Sequence, residues 1–121
     1  MNNKELKFIH ITKTAGTCIE DTGKKYDILW GRHHKEYARW HTFFTLKSLE
    51  LQEKYDWFTV VRNPYTRIMS EYYCKCGGIG NKNITHTKDE MNNFLYKKIL
   101  NRSSIGCHYS EQYKYIEGIN Q

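Results

Sequence analysis

The sequence predicts a small three-layer α/β fold in which helices flank a parallel sheet. Two observations support it. Short apolar segments rich in β-branched and aromatic residues alternate with helix-like segments, and the two clearest strands each end at a turn that leads into a helix. The chain has 121 residues, one proline and no repeated or linker-like stretch, so residues 1–121 are expected to form a single domain.

The first predicted strand, Leu6–Ile11, stops abruptly at a turn of small and hydroxyl-bearing residues. A helix over Thr17–Lys25 would direct its free N–H groups and positive dipole end into that turn, where Lys13 adds a cation. These features predict a phosphate site. Lys13 precedes Gly16, whereas the GxxxxGK[ST] nucleotide loop has its lysine after the last glycine. An ordinary surface turn explains this segment equally well when it is considered alone.

The next segment is predicted to hold a second short strand, Tyr26–Trp30, followed by a stretch rich in cations and imidazoles. Its three histidines, His33, His34 and His41, fit a pH-responsive face, a metal site or a loop with one catalytic base. Adjacent side chains diverge on a strand or a helix, which disfavours joint metal ligation by His33 and His34.

A helix is predicted over Phe43–Tyr55, with Thr42 as its N-cap, because apolar residues recur there at three-residue spacing. Trp57–Val61 is the clearest strand, and its unbroken apolar character indicates a central parallel strand buried on both faces.

Two further helices are predicted after that strand. Asn63 suits an N-cap and Pro64 the first helical position, which indicates a helix to Cys76. Its predicted apolar stripe comprises Tyr65, Ile68, Met69, Tyr72 and Cys76. Thr87 and Glu90 form a capping box for a helix to Asn101. The predicted stripe of that helix comprises Met91, Phe94, Leu95 and Ile99. His108–Ile119 fits a helix about as well as an irregular segment.

Cationic residues follow the predicted strands at the edge where ligands bind in parallel sheets. Lys13, the segment His33–His41 and Arg62 are therefore expected to converge. Arg62 with the Ser70 hydroxyl would bind a second anionic group by charge-assisted hydrogen bonds. A nucleotide phosphorylated at both ends of its ribose has the required shape.

Two segments carry a family resemblance: Phe8-Ile-His-Ile-Thr-Lys-Thr-Ala-Gly-Thr17 and Phe58-Thr-Val-Val-Arg-Asn-Pro-Tyr-Thr-Arg-Ile-Met-Ser-Glu-Tyr72. They resemble the nucleotide-binding motifs IHIPKTGGTS and VRNPYxRLxSxY of sulfotransferases that use PAPS (3′-phosphoadenosine 5′-phosphosulfate), and most closely those of the carbohydrate (heparan-type) O-sulfotransferases. The resemblance implies a small P-loop-NTPase-like fold. It also implies sulfuryl transfer from PAPS, without a metal, to a hydroxyl of a small-molecule or glycan acceptor.

The resemblance also implies roles for individual residues. Arg62 and Ser70 would bind the 3′-phosphate of PAPS. The residues implied for the 5′-phosphosulfate are Lys13, Thr14, Ala15, Gly16, Thr17 and Cys18. Thr12, Ala15 and Cys18 stand where proline, glycine and serine are common in the family, and Cys18 lacks a hydroxyl for the phosphate.

The catalytic residues implied by the resemblance are His41 and Lys13. Trp40-His41-Thr42 is similar to the family's histidine-bearing segment, so His41 is predicted to take the acceptor's proton. His10, His33 and His34 are alternatives, as is a capping or packing role for His41. Lys13 would stabilise charge on the departing phosphate.

A final similarity lies in Cys107–Ile116, which is similar to a family segment HWxxQxxYI near the acceptor site. It implies that His108 and Gln112 contact the substrate. A capping or packing role suits them equally well.

The composition indicates which classes of partner the protein binds. The formal charge of +6 favours an anionic ligand, and no nucleic-acid-binding signature is present. The sequence shows neither an apolar signal segment nor a membrane-spanning run, so a cytoplasmic protein is expected, although a domain trimmed from a secretory precursor would look the same. The spacing of the four cysteines fits zinc ligation poorly, and reduced thiols without a metal are expected.

Two other functions are compatible with these residues. No strand–helix unit is predicted after Ile119, so the chain could bind PAPS or its product PAP without turnover. A phosphoryl-transfer enzyme would need an acidic Mg²⁺ ligand after a strand, and none is found. A homodimer could supply a missing sheet edge.

Overall fold

The computed structural model describes residues 3–34, 41–80, 86–101 and 108–119. The chain divides into two compact units. The first unit is Met1–Val61 with Glu111–Gln121, and the second unit is Arg62–Ser110. That residues 1–121 form one domain stays a prediction.

The first unit contains a parallel pair of strands, β1 (Leu6–Ile9) and β2 (Asp56–Thr59). Ile9 pairs with Thr59, so both strands end at the same edge of the sheet. With its helices, the described part of the chain forms a small α/β arrangement containing this two-stranded sheet. Both strands were predicted, although each ends two residues earlier than expected, and β2 is at most half-buried where burial on both faces was predicted. The three-layer architecture stays a prediction.

Helix α1 (Gly16–Lys25) follows β1 after a six-residue connection, close to the predicted helix over Thr17–Lys25. Its buried face consists of Gly16, Glu20 and Gly23, which are one turn apart and mostly small. Because the two glycines have no side chain, His10 and Trp30 can approach α1 closely.

The predicted strand Tyr26–Trp30 is wrong. The chain turns after α1, with Asp27 in a left-handed conformation (φ 58) and the Ile28 amide bonded to the Gly23 carbonyl at 2.9 Å. The Trp30 indole, instead of a strand backbone, donates to the Leu6 carbonyl at 2.9 Å. The segment is therefore held to β1 through the Trp30 side chain and does not extend the sheet, while Tyr26, Ile28 and Leu29 are exposed.

The predicted helix Phe43–Tyr55 is interrupted. A 3₁₀ turn at Phe44–Leu46 precedes a shorter helix, α2 (Leu49–Lys54). Ser48 caps α2 in place of Thr42, since its Oγ accepts from the Leu51 amide at 3.3 Å.

The C-terminal segment of the first unit contains a short helix, α5 (Tyr113–Ile116). Tyr115 is fully buried, and its ring meets that of Phe43 edge-on at 4.8 Å. The segment whose structure the sequence left open is therefore helical over one turn.

The second unit contains α3 (Pro64–Tyr72) and α4 (Lys88–Leu100). Their predicted caps are confirmed: Asn63 Oδ1 accepts from two amides, and Thr87 and Glu90 form both bonds of the capping box. Helix α3 ends before Cys76, because the chain folds back over its end. A Cβ at Gly78 would lie 2.0 Å from the Tyr72 carbonyl oxygen.

The core of the second unit is built on Tyr72, Leu95 and Tyr109. The whole predicted stripe of α4 packs there, as does Ile68 of α3. Tyr65, a member of the predicted apolar stripe of α3, is 80% exposed. Burial raises the pKa of Tyr109 to about 12, with smaller contributions from Glu71 and Cys74.

Within the described ranges, none of the helices combines the length and apolar character needed to cross a lipid bilayer.

Candidate functional site

The β1–α1 connection holds two non-glycine residues with left-handed backbones, Lys13 (φ 60) and Ala15 (φ 66). Such conformations are unfavourable for residues with a side chain and cluster at ligand-binding turns. The Thr14 hydroxyl donates to the Ile11 carbonyl at 2.8 Å and closes the turn. The Thr14 hydroxyl proton is therefore already used within the loop.

Helix α1 opens directly onto this turn. No side chain caps its first residue, and its first turn holds no acidic residue. The Ile19 amide bonds to the Ala15 carbonyl at 3.2 Å, and the amides of Gly16 to Cys18 precede the helical ladder. Thr17 and Cys18 are exposed and Lys13 is half-buried. Free amides, the helix dipole and a lysine make this loop suited to an anion.

Gly16 is required by a histidine packed against it. A Cβ at Gly16 would lie 2.2 Å from the ring of His10, which is 5% exposed. His10 Nδ1 donates to Glu20 Oε1 at 2.6 Å. The histidine at the end of β1 therefore connects the loop to the middle of α1.

Glu20 is a fully buried carboxylate that no sequence motif indicated. Arg32 Nε lies 3.6 Å from its second oxygen, which adds a cation beside the His10 contact. Gly31 has φ 54, and a Cβ there would meet Glu20 Oε1 at 1.9 Å. The sequence signal that could have identified Glu20 as buried is its spacing. It lies four residues after Gly16 and three before Gly23, on one helix face.

His41 lies against His10. Their rings meet edge-on at 4.4 Å, and His41 Nδ1 lies 3.3 Å from the His10 carbonyl oxygen. A carbonyl only accepts hydrogen bonds, so Nδ1 carries the proton in this contact. The basic nitrogen of the neutral His41 ring is therefore Nε2.

The other two candidate histidines have different surroundings. His33 Nε2 lies 3.1 Å from Asp21 Oδ1, and hydrogen bonds from His33 and then Arg32 lower the pKa of Asp21. His34 is 8% exposed, with its ring edge-on to Tyr55 at 5.7 Å. His33 thus belongs to a surface ion-pair cluster and His34 to the core.

The second predicted anion site lies in the second unit. Arg62 is exposed at the start of α3, and its Nε donates to Thr66 Oγ1 at 3.1 Å. Ser70 is half-buried two turns along the same helix. Lys13 belongs to the first unit, so the convergence of Lys13 with Arg62 stays a prediction.

His108 and Gln112 also fall in different units. His108 Nδ1 lies 2.8 Å from Glu71 Oε2, within the second unit. Gln112 is the residue before the first turn of α5 in the first unit. Their predicted contact with a substrate stays a prediction.

The sulfotransferase family model matches residues 1–118, almost the whole chain. The small parallel α/β arrangement is consistent with the fold of that family. Comparisons with curated proteins and with solved structures give no match.

Proposed function

We propose that this chain, which belongs to the sulfotransferase family, transfers a sulfuryl group from PAPS to an acceptor hydroxyl. The observation that supports this most directly is the β1–α1 loop, where Lys13 adjoins a helix start without a side-chain cap. A phosphosulfate is the anion that the family's reaction requires at such a loop.

In the proposed reaction, the acceptor oxygen attacks sulfur while the bond from sulfur to the bridging phosphate oxygen breaks. The electron pair of that bond stays on the departing phosphate of PAP. Lys13 and the amides of the first turn of α1 stabilise this growing charge, which is an effect of position and electrostatics.

His41 is the proposed base. Its Nδ1–H donates to the His10 carbonyl, which leaves Nε2 as the nitrogen that accepts the hydroxyl proton. His10 is held by the buried Glu20 carboxylate and supports the ring of His41 at 4.4 Å. Glu20 and His10 are therefore positioning residues.

The 3′-phosphate of PAPS is assigned to Arg62 and Ser70. An exposed guanidinium at a helix start suits a bidentate contact with phosphate. This assignment belongs with the proposed three-layer, P-loop-like arrangement. The acceptor, a small molecule or a glycan, would contact His108 and Gln112.

Calorimetric titration with PAP, beside a sulfate-transfer assay, tests the proposal. PAP should bind, and Lys13→Ala should weaken binding, because it removes the cation from the loop. Lys24→Ala, at the other end of α1, is the matched control and should bind normally. PAP binding no tighter than that of ATP would contradict the proposal. Binding without transfer to any acceptor would favour a PAP-binding protein without turnover.

A further inference from the structure

We propose that Glu71, Cys74 and His108 form a binding site for a divalent zinc-like cation in the second unit. Each offers one ligand atom, and these atoms lie within 4.8 Å of one another. This site is separate from the loop at Lys13 and does not rest on the proposed sulfuryl transfer.

The donor set suits Zn²⁺. A thiolate, an imidazole nitrogen and a carboxylate oxygen are its usual protein ligands, and three of them leave a fourth position for water. The two anionic ligands also neutralise the two positive charges of the ion. A neutral assembly avoids the free-energy cost of leaving net charge in a poorly hydrated place.

Glu71 supplies the second observation. The residue is 1% exposed, and Oε2 contacts His108 Nδ1 at 2.8 Å. Its other oxygen, Oε1, is buried and makes no hydrogen bond within the described residues. Such an oxygen costs free energy unless it is satisfied, and a bound cation would satisfy it.

Local structure holds the three ligands in place. Glu71 lies on the last turn of α3, and the Cys74 amide bonds to its carbonyl at 3.0 Å. Arg67, which is 8% exposed, donates to the carbonyls of Ser110 at 2.8 Å and His108 at 3.4 Å. Arg67 therefore fixes the segment that carries the third ligand against α3.

The prediction of no metal depends on the spacing of the four cysteines, of which only Cys74 and Cys76 are close in sequence. Cys76 is exposed and is not a member of this cluster. The helix end brings Glu71 to Cys74 instead. A metal-bound imidazole keeps a second ring nitrogen, so the site is compatible with the substrate role proposed for His108.

The test uses the full chain, freed of metal with a chelator and titrated with Zn²⁺ and then with Co²⁺. Wild type should bind one equivalent of Zn²⁺, gain thermal stability and develop a cobalt–thiolate charge-transfer band. Cys74→Ser should abolish the band and weaken Zn²⁺ binding by roughly 100-fold. Cys76→Ser is the matched control and should behave as wild type.

Glu71→Gln provides a second variant that keeps the size of the side chain and removes its charge. It should also lose Zn²⁺ affinity, and circular dichroism of the metal-free variants verifies that each is folded. The proposal fails if wild type gains neither stability nor the cobalt band. It also fails if Cys74→Ser binds the ions as wild type does.

Discussion

At the scale of single residues, the β1–α1 loop is defined by close packing around Gly16 and by left-handed backbones at Lys13 and Ala15. The sequence located this loop from its composition, but it did not show that His10 packs beneath Gly16 or that Glu20 is buried. Those contacts depend on which side of α1 faces β1, and a one-dimensional pattern specifies that only through the spacing of Gly16, Glu20 and Gly23.

Gly16→Ala should destabilise the fold by about 1–3 kcal/mol, because the added methyl group overlaps the His10 ring 2.2 Å away. Chemical denaturation measures the change. In a His10→Ala background the same substitution should cost almost nothing, since the ring is gone. Thr17→Ala, at an exposed neighbouring position, serves as the control. An equal loss in both backgrounds would show that the overlap is not the cause.

Lys47 should make stability depend on pH. Burial lowers its pKa from 10.5 to about 8, so the folded state disfavours the charged form. Below pH 8 the side chain is charged in both states, and the full free-energy cost of burying that charge opposes folding. This cost disappears as pH rises to 10.5, because the unfolded state keeps its proton to a higher pH than the folded state does. Lys47→Met should therefore be more stable near neutral pH, on the order of 1 kcal/mol for this partly hydrated group.

Urea unfolding across this pH range measures how much more stable Lys47→Met is than wild type. This gap in stability should close as pH rises. The same substitution at the exposed Lys24 should give no such pH-dependent gap, because that side chain stays in water. A gap at Lys47 that is constant with pH would refute the burial explanation.

At the scale of elements, the predictions that succeeded depend on local chemistry. The caps of α3 and α4 were predicted because Asn63, Pro64 and the Thr87–Glu90 pair satisfy backbone groups within one turn. The strand predicted at Tyr26–Trp30 is wrong because the chain turns at Asp27 and bonds to β1 through the Trp30 indole instead of a backbone ladder. Hydrophobicity alone does not distinguish a strand from a turn that carries apolar side chains.

Asn63→Ala should destabilise the second unit by about 1 kcal/mol, because Asn63 Oδ1 accepts from the amides of Tyr65 and Thr66. Asn63→Asp keeps the acceptor and should retain stability, which makes it the matched control. Thermal unfolding followed by circular dichroism compares them. Equal losses in both variants would mean that the cap contributes little.

At the scale of the whole molecule, family membership was predictable because its two motifs are continuous in sequence and each spans a strand end and a helix start. The surroundings of the histidines were less predictable. His33, His34 and His41 lie within nine residues, yet one contacts Asp21, one packs on Tyr55 and one adjoins His10. Tertiary contacts, which the local pattern does not encode, separate them.

His41→Ala should lower kcat by about 10²–10⁴-fold, the usual contribution of a general base, with a smaller effect on PAP affinity. A histidine base must be neutral to accept a proton. Wild-type activity should therefore rise with pH, and His41→Ala should lose this rise. His33→Ala is the matched control, because its ring contacts Asp21 at the surface and should affect kcat little. If His33→Ala lost the rise of activity with pH and His41→Ala kept it, the base would be His33.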